Sequence, residues 1–141
     1  DLIDIASFTR LSEKTITKAI ANTRLNIEGW LVRKEVKDGK PVLALYVELS
    51  SRANPIEIAS ILHQELKEVD YFYDDLDSMM DIHPIEVIVL RPGTFNDYYT
   101  KKQEAGAELS QLKPPRMHAS AEVIEELKML SRKIEDRGAG S

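Results

Sequence analysis

The residues with the most chemical potential lie in one short stretch, Gly106-Ala107-Glu108-Leu109-Ser110-Gln111-Leu112-Lys113-Pro114-Pro115-Arg116. Pro114 disfavours helix at Lys113, and two successive prolines stiffen the backbone, so the lysine rides on an extended stem and is presented outward. A lysine held in this way suits polyphosphate, where an ammonium offsets charge that builds on a leaving oxygen. The plainer reading is an exposed lysine in a proline-rich loop, and on spacing alone it is the favoured one. Gln111 and Arg116 either tie this loop to the sheet or reach a ligand.

Other reactive groups point to less. Asp74, Asp75, Asp77 and Asp81, with His83 nearby, are the natural place to look for hard-cation ligands, but they lack the turn glycine and closing glutamate of a calcium loop. A solvated acidic connection is the expectation, and no metal site is assigned. His63, His83 and His118 are far apart, and His63-Gln64-Glu65 is not the pair of histidines one helical turn apart that binds zinc. Neither a nucleophile elbow nor a glycine-rich phosphate loop occurs. Trp30 reads as core or hairpin packing rather than as a pocket wall. Tyr71, Phe72 and Tyr73 are harder to bury together, and part of that run is expected to meet another domain.

The elements that must position the loop follow from periodicity. Leu2 to Ala6 alternates like a short strand. Ser12-Glu13-Lys14 suits a helix start, and a helix is expected over about residues 12–24 with Leu11, Ile16, Ala19 and Ile20 on one face. Ile27 to Val36 reads as a half-buried strand, with Trp30, Val32 and Val36 on one face and Leu31, Arg33 and Glu35 on the other. Asp38-Gly39 is a strong two-residue hairpin signal, so the next strand is antiparallel. That strand, Val42 to Leu49, is apolar on both faces and therefore central. Asn54-Pro55 opens a helix to about Val69, with Ile58, Leu62, Leu66 and Val69 recurring at helical spacing. Ile85 to Leu90 is a buried strand, Thr94 to Glu104 a helix ended by Gly106, and Ser120 caps a last helix facing inward through Val123, Leu127, Leu130 and Ile134. The order predicts an α+β, two-layer, ferredoxin-like (βαββαβ) fold, with a mixed or antiparallel sheet, helices on one face, and two extra C-terminal helices.

Composition bounds the rest. The 141 residues carry 19 basic and 24 acidic side chains, a net charge of -5, and no cysteine. A single domain is expected over 1–141, needing neither disulfide nor metal to hold it together. The charge balance argues against nucleic acid, no apolar run approaches the ~18 residues of a membrane span, and no signal pattern opens the chain. A cytoplasmic protein is expected. Because the chain begins at Asp1 rather than Met, it reads as a piece of something longer. Such a fold names no function, and a stand-alone ferredoxin-like module for ligand binding or regulation is one reading of these features.

The stretch around Lys113 also resembles the C-terminal domain of the auxin-responsive-promoter family of acyl-acid amido synthetases, within the adenylate-forming enzyme superfamily. Ile85-Glu86-Val87-Ile88-Val89 leading into Gly93-Thr94-Phe95 is similar to that family's strand and turn. Gly106 follows at the family's distance, ahead of Gln111, Lys113, Pro115 and Arg116. Glu108 and Pro114 depart from its usual small polar and aliphatic residues. The resemblance implies a large N-terminal partner domain that binds ATP with magnesium and an acyl acid, forms an acyl-adenylate, and passes the acyl group to an amino acid. It implies that the C-terminal domain pivots between these half-reactions and is inactive alone. On this reading Lys113 is the catalytic residue delivered to the phosphates, with Gln111 and Arg116 beside it in the ATP site.

Overall fold

A computed structural model describes residues 12–69, 85–108, 112–117 and 119–139. The strand expected over residues 2–6 lies outside them, as do the acidic cluster, the Tyr71 to Tyr73 run, His83, Gln111 and His118.

Helix α1 spans Glu13–Thr23. Ser12 caps it, its hydroxyl accepting from the Thr15 amide at 3.1 Å, so one of the unpaired donors of the first turn is satisfied locally. The helix ends at Arg24, which takes a left-handed conformation with φ 60°. Strand β1, Ile27–Lys37, runs through the Asp38-Gly39 turn into β2, Lys40–Leu49. Both turn residues have positive φ, 54° and 76°, the geometry in which a two-residue turn follows the strands' own twist. Pairing is antiparallel from Lys37↔Lys40 to Ile27↔Leu49, with an irregularity between Ile27 and Gly29.

Helix α2, Pro55–Val69, begins where the Asn54 side chain accepts from the Ile56 amide at 2.9 Å. It carries the chain back so that β3, Ile85–Leu90, pairs parallel with β2. Helices α3, Thr94–Glu104, and α4, Ala121–Ala139, complete the described fold. The sheet is mixed, in the order β1-β2-β3, and β2 is central as its two apolar faces require.

Those two faces feed two cores. Trp30, Val32, Leu43, Leu45, Val47 and Leu49 pack beneath α1 and α2, against Ile16, Ala19, Ile58, Leu62 and Leu66. Leu31, Ala44, Tyr46 and Leu90 point the other way and meet Phe95 and Tyr98 of α3 and Ile124, Leu127 and Leu130 of α4. The α+β core of sheet and two helices is thus as read from the chain, and the two extra helices add a third layer on the opposite face. The physical reason lies in β1 and β2: leaving Leu31 and Tyr46 open to water would forfeit roughly 1.5–3 kcal/mol for each large side chain. Two expectations change in detail. The middle of β1 is covered on both faces rather than half-buried, and Val36, assigned to the core face, is 72% exposed because the hairpin tip projects beyond the helices.

Candidate functional site

The stretch that leaves α3 turns at Gly106, whose φ is 90°, and continues toward Lys113. Lys113 is exposed, between half-buried Leu112 and Pro114, and its ammonium has no partner among the described residues. Immediately afterwards the chain is fastened to the outer edge of β1. The Val32 amide donates to the Arg116 carbonyl at 2.7 Å, and the Ala119 amide donates back to the Val32 carbonyl at 3.3 Å. Arg33 Nη1 adds a third bond, to the Ala119 carbonyl at 2.8 Å. Met117 packs on the first core and Ala119 lies in the second, so these two residues sit on opposite faces at the sheet edge. The stiff Pro114-Pro115 arm therefore projects Lys113 from a fixed base.

Arg116 stands three residues along. Its guanidinium carbon lies 5.2 Å from the centre of the Trp30 ring, and Nη1 lies 4.0 Å from Glu13 at the start of α1. The Arg116 and Glu13 side chains are each 52% exposed, so the ion pair contributes little and the stacking on Trp30 about 0.5–1 kcal/mol. Of the three expected site residues, the structure thus brings Lys113 and Arg116 to one edge of the sheet, and Gln111 lies outside the described residues. Trp30, 5% exposed, is a core residue as expected.

Two supporting residues gave no sign of their roles in the sequence. Arg33 looked like one more outward strand residue, although it bonds a carbonyl 86 positions away. Glu48 is buried at the end of β2, where its carboxylate accepts from the amides of Gly93 at 3.1 Å and Phe95 at 2.7 Å. Gly93, the residue before α3, has no side chain with which to cap it, and Glu48 supplies the acceptors instead. Burial pushes the Glu48 carboxyl above its ordinary range, more than these two hydrogen bonds pull it down. The turn into α3, and through α3 the start of the Lys113 stretch, is thereby pinned to the sheet.

His63 is half-buried on α2, away from this edge in sequence and element. Among the described residues, no group of three or more His, Cys, Asp or Glu is placed to hold a metal ion. No described helix is long and apolar enough to cross a membrane. What this edge presents is an exposed cation, Lys113, and three residues along a second, Arg116, partly engaged by Trp30 and Glu13.

Comparison with known proteins bears on this arrangement. Residues 10–122 match the model of the GH3 family C-terminal domain. Among solved structures, the chain is similar to AtGH3.15 acyl acid amido synthetase in complex with 2,4-DB and to a second structure titled GH3.15 acyl acid amido synthetase, in each case with a TM-score of 0.62 and 21% identity. Each match covers 83% of this chain but only 23% of the solved one, so the chain spans about a quarter of their length. No curated protein gave a match.

Proposed function

Because the chain belongs to the GH3 family as its C-terminal domain, we propose that it is the mobile lid of an ATP-dependent acyl-acid amido synthetase. In this reading a large N-terminal domain binds ATP, its magnesium and the acyl acid, and the present domain, inactive alone, closes over them in the cytoplasm. The substrate carboxylate attacks the α-phosphorus, the bond to the bridging oxygen breaks, and pyrophosphate leaves. An amino-acid amine then attacks the acyl carbonyl and displaces AMP.

Lys113 acts in the first step. Its ammonium meets the negative charge that gathers on the phosphate oxygens as the bond to pyrophosphate breaks, and Gln111 and Arg116 contact ATP beside it. The observation that carries this is a single one: an exposed lysine, unpartnered among the described residues, on a proline-stiffened arm bolted to the sheet edge. Most surface lysines hang on flexible stems, and ordering such a stem on binding costs entropy; here Pro114 and Pro115 restrict the backbone before the nucleotide arrives.

The test is Lys113→Ala in the full-length protein. Loss of one preorganised charge contact costs about 100- to 1,000-fold in rate, and the exposed position predicts an unchanged melting temperature. ATP–pyrophosphate exchange close to the parent rate in a folded variant removes Lys113 from the chemistry.

A further inference from the structure

We propose that Arg33 is a positioning residue for Lys113, holding the base of its loop on β1 so that the ammonium reaches the nucleotide in the right place. The inference rests on the reading of Lys113 given above.

Three bonds fasten Arg116 and Ala119 to β1, and two of them, between Val32 and the Arg116 and Ala119 backbones, involve no side chain that substitution could remove. The third is the Arg33 guanidinium on the Ala119 carbonyl, at 2.8 Å and partly buried. It is charge-assisted and partly shielded from water, hence the strongest of the three. It also acts at the far end of the fastened segment. Arg116 cannot replace it, because its guanidinium lies over Trp30 and beside Glu13 on an exposed surface. Between the Arg116 end of the fastening and Lys113 stand Pro114 and Pro115, whose fixed φ angles transmit a shift of the base to the lysine instead of absorbing it. A displacement of about 1 Å at a charged contact is enough to cost on the order of 100-fold in rate. Arg33 touches none of the reacting atoms on this account, and its effect passes entirely through Lys113.

The full-length synthetase provides the test, with Arg33→Ala, Lys113→Ala and the double variant, each checked to be folded at the assay temperature; loss of the Arg33 bond is expected to lower the melting temperature by a few degrees, and Lys113→Ala to leave it unchanged. Arg33→Ala is expected to lower kcat of ATP–pyrophosphate exchange about 10- to 100-fold, with a smaller effect on KM for ATP. Conjugation from preformed acyl-adenylate should stay within about two-fold, because Lys113 serves only the first half-reaction. In the Lys113→Ala background, Arg33→Ala should cost nothing further. Arg33→Lys keeps one donor within reach of a single carbonyl and should restore most of the loss; it also serves if the alanine variant does not fold. Unchanged exchange in Arg33→Ala, an equal fall in both half-reactions, or a full additional loss in the Lys113→Ala background each overturns the assignment. Normal exchange in Lys113→Ala alone overturns the reading of Lys113, and this inference with it.

Discussion

The buried carboxylate of Glu48 gives the sharpest stability test. Its side chain sits in a residue only 4% exposed, and its two oxygens accept from the Gly93 and Phe95 amides. In Glu48→Ala both donors lose their acceptor, at about 1–3 kcal/mol each when buried, while removing a desolvated charge returns part of that. A net loss of about 3 kcal/mol is expected. Glu48→Gln keeps one acceptor but turns an amide N–H₂ toward the other donor, so about 1–2 kcal/mol is expected. Urea unfolding of the chain, followed through the fluorescence of its sole tryptophan, buried Trp30, measures both.

The same pair of variants reports on pH. Burial raises the folded-state pKa of Glu48 above its unfolded value, so between the two values the native protein holds a proton that the unfolded chain has released. The contribution from Glu48 is full below the unfolded pKa and is lost as pH rises through the folded one. Glu126 behaves oppositely: burial would raise its carboxyl, but hydrogen bonds from Lys102 and Lys101 outweigh that and hold it low. Its contribution is present above its unfolded pKa and is lost on acidification through the folded one. Subtracting the Glu48→Gln curve from that of the parent cancels this background, and the difference should favour the parent increasingly as pH is lowered toward about 4.5. A Glu48→Ala variant within about 0.5 kcal/mol of the parent would refute the capping argument. A difference curve that grows with rising pH would instead show that the two hydrogen bonds outweigh burial, and would refute the upward shift.

Two glycines give further tests by the same unfolding assay. A Cβ at Gly29 would lie 3.1 Å from two ring carbons of Phe95, so Gly29→Ala should cost about 1–3 kcal/mol, and Phe95→Leu in that background should cost less than it does alone. At Gly39 nothing lies within 4 Å of the added carbon, and the φ of 76° is the whole problem, so Gly39→Ala should cost about 1 kcal/mol and Gly39→Asn less.

Where the sequence was read correctly, the controlling interactions are local. Ser12 bonds Thr15, Asn54 bonds Ile56 and Ser120 bonds Val123, all within three residues. The Asp38-Gly39 turn likewise needs only its own dihedral angles. Lys113 and its prolines were legible for the same reason, since stiffness and outward presentation are properties of adjacent residues. The second face of the sheet was harder. Val36 matched the core alternation yet lies beyond the helices, and Ile124, buried in the second core, falls one residue off the stripe read through Val123 and Leu127. A period gives a face, but the length and reach of the partner element decide which positions on it are covered.

From the sequence alone came the helices, the hairpin, the central strand, the cationic arm and the family resemblance. These rest on side-chain periodicity, on capping and turn chemistry, and on residue types at fixed spacing, all of which act along the chain. Folding in three dimensions decided that α3 and α4 form a third layer, that Glu48 rather than any neighbour caps α3, and that Arg33 and the edge of β1 seat the arm. The partners in the three side-chain bonds that Glu48 and Arg33 make there are 45 to 86 residues apart. A buried amide takes whichever acceptor packing brings within about 3 Å, and strand alternation or helix periodicity does not encode that choice.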